Sequence, residues 1–200
     1  PDKINCRFIK TDYKTVASDV RHIRPAKGED FDVLVRLCRD LREPTLIYCS
    51  SPARSRMVAK ALLDGEVCDA VPSLEGAVKW IATEYHPEWL FGKALAHGIG
   101  LHHGRLPRTL AQYVVKAFND GDIRFLVCTS TLIEGVNTKA KNVIVFDNKV
   151  AQRKFDYFTY NNILGRSGRM FKHFVGHVYM FREPPAEELP LIDFPIFTQP

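Results

Sequence analysis

Short apolar runs alternate with longer amphipathic stretches along most of the 200-residue chain. The runs are typical of strands: TLIYCS (45–50), GIGLHHG (98–104), DIRFLVCTS (122–130), NVIVFDN (142–148) and GHVYMF (176–181). Between them, stretches such as PARSRMVAKALLDG and LPRTLAQYVVKAFNDG carry apolar residues at helical spacing. This alternation predicts an α/β fold, in which helices cover both faces of a mostly parallel sheet.

Two further amphipathic stretches, divided at His86-Pro87, predict a helical insertion over about residues 65–97. Trp80, Trp89 and Phe91 lie in this insertion. Aromatic side chains can stack on nucleic-acid bases, but at helical spacing they more often fill a core. We interpret the three as core residues.

Polar residues follow four of the predicted strands: Ser50-Ser51, His102-His103, Thr129-Ser130 and Asp147-Asn148. In open α/β sheets, ligands bind outside the carboxyl ends of the strands. We therefore expect the functional site at this edge of the sheet. Adjacent histidines on a strand point to opposite faces and make a poor chelate, so we expect no metal there.

The stretch YNNILGRSGRMF (160–171) contains two arginines, each directly after a glycine. Arg166 and Arg169 are three residues apart, which places them on one face of a helix. Gly165 and Gly168 each cost helix stability, about 1 kcal/mol relative to alanine. Two guanidinium groups directed together suit a phosphate group, whereas the alternative is a solvated basic helix end.

Three stretches, TLIYCSSPARSRMVAKALL, FLVCTSTLIEGVNTKAKNVIVFD and NNILGRSGR, resemble motifs IV, V and VI of superfamily-two DEAD/DEAH-type helicases, in the same order. The stretch HHGRLPRTLAQYVVKAFNDGDIRFLVCTSTLIEGVN is similar, more narrowly, to the superkiller-like (Ski) branch. The resemblance implies a RecA-like three-layer domain over residues 29–182, the second of two motor domains. Residues 1–28 would then form a connecting segment or strand, and residues 183–200 a linker or the start of another domain.

In such motors ATP and Mg²⁺ bind in the cleft between the two RecA-like domains. The resemblance implies that Arg166 and Arg169 act there as arginine fingers, which stabilise charge during phosphoryl transfer. Residues that line or couple this cleft would be Glu134, Gly135, Asn137, Asn162, Gly165 and Gly168. Asn162 stands where the motif usually has glutamine.

The resemblance also implies contacts with the backbone of a nucleic acid, expected to be single-stranded. The residues implied are Ser50, Ser51, Arg54, His103, Arg105, Thr129, Ser130 and Thr131. Helix capping by the hydroxyl groups and ordinary surface charge are the alternatives. Backbone contacts do not distinguish DNA from RNA. Only about ten residues, NKVAQRKFDY, separate motifs V and VI, so we expect no large strand-separating hairpin.

The sequence contains no G-x-x-x-x-G-K-[ST] loop and no D-E-x-H/D tetrad. By itself the chain is therefore predicted not to hydrolyse ATP, because the first RecA-like domain supplies those parts. The alternative is a nucleic-acid-binding module that works without ATP. A dinucleotide-binding domain is disfavoured, because SSPARS after the first buried strand lacks glycine.

Composition adds less. The net charge of +5 is compatible with an anionic partner. Five cysteines without a C-x-x-C pair predict thiols in a reducing compartment, and we expect a cytoplasmic protein, or a nucleoid-associated one in a bacterium. No apolar run approaches the roughly 20 residues of a membrane span, so we expect no membrane partner. From its two termini, we expect the chain to be a piece of a longer protein.

Overall fold

A computed structural model describes residues 18–133, 138–150, 153–154 and 176–183. The strands in these ranges are β1 (Ser18–His22), β2 (Thr45–Tyr48), β3 (Ile99–His102), β4 (Phe125–Cys128), β5 (Asn142–Val145), β6 (Lys149–Val150), β7 (Arg153–Lys154) and β8 (Gly176–Met180). The helices are α1 (Asp30–Asp40), α2 (Pro52–Asp64), α3 (Glu75–Glu84), α4 (Leu90–Ala96), α5 (Arg108–Asp120) and α6 (Ser130–Ile133), with a 3₁₀ turn at Pro72–Leu74.

Six of the strands form one parallel sheet in the order β1-β8-β5-β2-β4-β3. Tyr48, the last residue of the central strand β2, lies opposite Cys128 of β4 and Val145 of β5. His102 of β3 lies opposite Cys128. The carboxyl ends of these strands are therefore level with one another, and the predicted parallel sheet is confirmed.

Both faces of the sheet are covered. Every side chain of β2, β4 and β5 is buried, although successive residues in a strand point to opposite faces. The chain moves from β2 to β3 through α2, α3 and α4, and it returns from β3 to β4 through α5. Because such crossovers are right-handed, these two helical segments lie on opposite faces. This is the three-layer arrangement that the sequence predicts.

Local signals in the sequence account for the ends of the helices that frame the site. Pro52 occupies the first turn of α2, where its missing N–H is not needed, and Ser51 caps the helix. Gly121, with φ of 95°, ends α5 in the left-handed conformation that glycine adopts readily. The predicted apolar stripe of α5, which includes Leu110 and Phe118, is buried against β3 and β4.

The insertion between α2 and β3 contains the two predicted helices, α3 and α4. Phe91 is 2% exposed, as expected of a core residue, but Trp80 is 49% exposed, so our core interpretation is wrong there. Trp89 is partly buried and stacks on Phe91 with centroids 4.8 Å apart. Since α3 packs mainly against α4, Ile81 is covered while Trp80 is not. Helical spacing groups residues on a face without saying how wide a stripe the neighbour covers.

Two strand pairings were not predicted from the sequence. Within residues 1–28, which we expected to form a connecting segment or strand, the polar sequence SDVRH forms β1, which pairs with β8; residues 1–17 lie outside the described residues. β6 and β7 pair as an antiparallel ladder of two residues each, within the segment that separates motifs V and VI. Among the helices described, none is long and apolar enough to cross a membrane.

Candidate nucleic-acid interface

The polar residues that follow β2, β3, β4 and β5 lie along one edge of the sheet, which we call the carboxyl edge. Ser50 follows β2, His103 follows β3, Thr129 follows β4 and Asp147 follows β5. The backbone N–H of Cys49 donates to Cys128, and that of Thr129 donates to His102, so the ladder continues to the edge. The parallel register thus brings together residues that are up to 97 positions apart in sequence.

Asp147 holds two other residues of this edge. One carboxylate oxygen, Oδ2, accepts from the backbone N–H of Ser50 at 3.0 Å and from its hydroxyl at 2.9 Å. The other oxygen, Oδ1, accepts from Nε of Arg54 at 3.3 Å. The Asp147 side chain is 12% exposed and that of Arg54 is 25% exposed. A carboxylate so poorly hydrated depends on these donors for stabilisation.

Arg54 is fixed by more than its ion pair. Its guanidinium carbon lies 4.9 Å from the ring centroid of Phe31 and 4.9 Å from that of Phe146. The two rings are 5.3 Å apart, and Phe146 also packs against Phe181. Cation–π contacts with two rings restrict the side chain further. Arg54 is therefore a packed residue with one edge toward Asp147.

The hydroxyl groups of the two serines after β2 play different hydrogen-bonding roles: one donates and the other accepts. The Ser50 hydroxyl donates its proton to Asp147. The Ser51 hydroxyl oxygen instead accepts from the backbone N–H of Arg54 at 3.2 Å, as a helix cap. A hydroxyl group has one proton to donate and also accepts. Among the described residues, the Ser50 proton has an acceptor and the Ser51 proton has none, so Ser51 can donate to another acceptor.

The residues after β4 form a second hydroxyl pair. Oγ1 of Thr129 lies 3.2 Å from Oγ1 of Thr131, and one of the two donates to the other. The hydroxyl that accepts keeps its own proton, so the pair retains one donor. Thr129 is 6% exposed, Ser130 is half-buried and Thr131 is exposed. The carboxyl edge thus offers hydroxyl donors after both β2 and β4.

His103 adds a third donor. Its Nδ1 accepts from the backbone N–H of Arg105 at 3.3 Å. Burial, together with the charges of Arg56 and Arg105, lowers the pKa of His103 below its usual value near 6.5. The ring is therefore neutral at pH 7, and with Nδ1 accepting, its proton is on Nε2. Arg105 itself is exposed in the turn after β3.

All the residues predicted to contact the nucleic-acid backbone lie within the described residues. The structure brings Ser50, Ser51, Arg54, His103, Arg105, Thr129, Ser130 and Thr131 to the carboxyl ends of β2, β3 and β4. The predicted cleft residues lie outside the described residues: Glu134, Gly135, Asn137, Asn162, Gly165, Arg166, Gly168 and Arg169. Asp147 was noted as a residue after a strand, but its contacts with Ser50 and Arg54 were not foreseen.

Across the described ranges, no group of histidine, cysteine and carboxylate side chains is arranged to hold a metal ion. Cys38, Cys49, Cys68 and Cys128 are free thiols. Burial raises the pKa of Cys49 and Cys128, which lie just after β2 and at the end of β4. These thiols are neutral and unreactive at pH 7.

Comparison with known proteins supports the helicase resemblance. Residues 78–171 match the family model of the helicase conserved C-terminal domain. The chain is 41% identical over 196 residues to anti-bacteriophage protein B of Escherichia coli K12, covering 96% of this chain and 27% of that protein. It is 30% identical over 144 residues to the ATP-dependent DNA helicase Hel308 of Thermoplasma volcanium, covering 70% of this chain and 21% of the relative.

A solved structure, the C-terminal domain of the DEAD-box protein Dbp5, has the same fold with a TM-score of 0.56. The match covers 84% of this chain and 77% of that one, at 18% identity. The chain spans about a quarter of the length of the two relatives named above.

Proposed function

We propose that this C-terminal helicase domain of superfamily two serves as the second motor domain of an ATP-dependent helicase or translocase. In this role the carboxyl edge contacts the backbone of a single-stranded nucleic acid. A first RecA-like domain of the full-length protein supplies the phosphate loop and the acidic residues that bind Mg²⁺. From the motifs of the sequence, we assign the domain to the Ski-like branch.

The observation that carries this proposal is the set of uncommitted donors at the carboxyl edge. Within the part of the chain that the structure describes, no acceptor takes the Ser51 proton, one hydroxyl proton of the Thr129–Thr131 pair or the Nε2–H of neutral His103. Phosphodiester oxygens accept such hydrogen bonds, which position a strand without reading its sequence. The exposed Arg56 and Arg105 add positive charge beside His103. Neutral donors with nearby arginines suit a polyanion of variable sequence.

We assign Arg166 and Arg169 to the ATP phosphates on the strength of the family match, which includes both residues. ATP with Mg²⁺ would supply the transferred phosphoryl group, and the arginines would stabilise the charge that develops on it. Glu134, Gly135, Asn137, Asn162, Gly165 and Gly168 would line this cleft or couple it to the carboxyl edge.

The test is the ATPase rate of the full-length protein, measured with and without single-stranded DNA or RNA. We expect stimulation by one of the two polymers. Arg169→Ala and Arg166→Ala should lower the stimulated rate by a factor of about 1,000 or more, the size associated with arginine fingers. Their affinity for the oligonucleotide should stay close to that of the wild type. Arg21→Ala, which removes an exposed arginine paired with Asp19, is the matched control and should turn over normally.

One result would contradict the proposed motor function, and another would contradict the role of the two arginines. If the wild type binds the oligonucleotide but shows no stimulated ATPase, the alternative of an ATP-independent binding module holds. If both arginine variants turn over at the wild-type rate, the assignment of Arg166 and Arg169 is wrong. The isolated 200-residue chain should be inactive in either case.

We propose bacteriophage defence as the biological setting, because the Escherichia coli relative carries that name and matches 96% of the chain. The same variants test this. Cells that produce the wild-type full-length protein should reduce phage plating, and cells that produce Arg169→Ala should not. Equal protection by both proteins would separate any defence role from the motor.

A further inference from the structure

We propose that Asp147 is a positioning residue for nucleic-acid binding, which fixes Ser50 and Arg54 so that Ser51 and the free edge of the Arg54 guanidinium meet the phosphodiester backbone. The inference rests on the proposed function and names a residue beyond those in the predicted site. Asp147 would not touch the nucleic acid itself, since a carboxylate repels phosphate.

The geometry shows a carboxylate with both oxygens committed. Oδ2 accepts two hydrogen bonds from Ser50, and Oδ1 accepts one from Nε of Arg54. Among the described residues, Nε is the Arg54 nitrogen that has an acceptor. The two terminal nitrogens of Arg54 therefore remain available to a phosphate, which guanidinium groups bind in a bidentate manner.

Asp147 also fixes Ser51 indirectly. Ser50 precedes Ser51, and Arg54 is the residue whose backbone N–H the Ser51 hydroxyl caps. Asp147 thus fixes Ser50, which precedes Ser51, and Arg54, whose backbone N–H donates to the Ser51 hydroxyl. Tyr48, the last residue of β2, adds a second link, because its hydroxyl donates to the carbonyl of Lys149 at the start of β6 at 2.8 Å. The chain that follows β5 is therefore joined to the end of β2 and to the residues after it.

Replacement of Asp147 by asparagine separates this role from simple packing. The amide has nearly the same shape as the carboxylate but carries one acceptor and one N–H₂ donor. In either orientation, one of the two partners, Ser50 or Arg54, faces a donor in place of an acceptor. The Arg54 cation also loses its counter-ion while Phe31 and Phe146 continue to pack on it.

The experiment measures stimulated ATPase of the full-length protein against the concentration of a single-stranded oligonucleotide, using the polymer that stimulates the wild type. For Asp147→Asn we expect the half-saturating concentration to rise about five- to tenfold, as for loss of one charge-assisted hydrogen bond. The rate at saturation should stay within about twofold, because positioned contacts affect binding more than turnover. An unchanged half-saturating concentration would overturn the proposal.

Asp64→Asn is the matched control. Asp64 is the last residue of α2, the helix that carries Arg54 near its start. It pairs with Lys60 at 2.6 Å in an exposed ion pair. The same chemical change there should leave the oligonucleotide dependence as it is in the wild type. Loss of one negative charge by itself favours binding of a polyanion, so net charge cannot produce the expected rise. A rise of similar size in Asp64→Asn would mean that the effect does not depend on the position of Asp147.

A second variant tests the proposal even if Asp147→Asn unfolds. Ser50→Ala removes one hydrogen bond to Asp147 without changing the charge, and it should raise the half-saturating concentration about threefold. In the double variant the two effects should fall short of their product, because both act through one contact. Independent, multiplicative effects would overturn the proposal. A wild type that is stimulated while the variants behave normally refutes only Asp147, whereas a wild type that neither binds nor responds refutes the motor as well.

Discussion

The two ends of the central strands carry similar polar residues in different states. At the amino ends, Thr45 begins β2 and Asn142 begins β5, directly opposite it. The Thr45 hydroxyl donates to the carbonyl of Glu43 at 2.8 Å and accepts from Nδ2 of Asn142 at 3.2 Å. Both side chains are buried, with exposures of 0% and 3%. At the carboxyl ends, Ser51 and the Thr129–Thr131 pair keep a proton.

The difference shows that residue type is a poor guide to function in this sheet. Threonine occurs at both ends, but at the amino end of β2 the Thr45 hydroxyl donates its proton to a carbonyl inside the protein. At the carboxyl end of β2 only one of the two serine hydroxyls donates within the described residues, and it is Ser50, because Asp147 accepts its proton. An inventory of donors and acceptors separates the structural end of the sheet from the functional one.

The largest effect on oligonucleotide affinity is expected from a substitution at the carboxyl end that leaves the fold intact. Ser51→Asp keeps an excellent cap for α2 but places a negative charge where a phosphate is proposed to bind. We expect oligonucleotide affinity of the full-length protein to fall about a hundredfold, since like charges at an interface cost several kcal/mol. The melting temperature should not fall. Fluorescence anisotropy and thermal denaturation measure the two quantities.

Ser51→Asn is the control for that experiment. Asparagine also caps helices, and its side-chain amide supplies a neutral donor. Most of the affinity should therefore remain. If Ser51→Asp binds as tightly as Ser51→Asn, the hydroxyl is a cap and nothing more.

The next largest effect is expected on stability, from a substitution at the amino end of β2. Thr45→Val keeps the shape of the side chain but leaves the buried Asn142 amide without its acceptor. We expect a loss of about 2 kcal/mol in the free energy of unfolding, the usual cost of an unsatisfied buried polar group. Oligonucleotide affinity should be unaffected. Urea denaturation measures the loss, and Thr83→Val, at an exposed threonine, should change stability by less than about 0.5 kcal/mol.

The smallest effect concerns the histidines that follow one another at the carboxyl end of β3. Burial, with the charge of His103, lowers the pKa of His102; burial, with Arg56 and Arg105, lowers that of His103. The unfolded chain therefore takes up protons first as the pH falls below about 6.5, so stability is present above that pH and decreases below it. We expect a decline between pH 7 and pH 5 that is smaller than the loss in Thr45→Val. Stability that rises on acidification would contradict this assignment.

The framework of the fold was predictable because buried strands are short apolar runs. β2, β4 and β5 are buried on both faces, so their sequences, such as TLIY and NVIV, stand out without any alternation. Pro52 and Gly65 lie at the two ends of α2, where proline and glycine are favoured. β1 escaped prediction because an edge strand with a polar sequence has no such signal; its pairing with β8 identifies it.

The site was predictable in position but not in its division of labour. Ser50 and Ser51 follow a strand in the sequence, which points to the carboxyl edge. Which serine keeps its proton depends on Asp147, which is 97 residues away from Ser50 and reaches it only through the pairing of β2 with β5. The position of Arg54 between Phe31 and Phe146 has the same origin. Contacts of this kind depend on tertiary structure and leave no local pattern.

The pairing of β1 with β8 has a consequence for synthesis on the ribosome. Ser18 lies opposite Gly176, and the difference between these numbers, 176 − 18, is 158 residues. At about 5–20 residues per second, β1 leaves the ribosome roughly 10–30 s before its neighbour exists. The strand pairs β2–β4 and β3–β4 can form within that interval, whereas β1 cannot pair until β8 has been synthesised. A nascent chain arrested before residue 176 would therefore carry a strand without a partner, which a holding chaperone would bind and a finished domain would not display.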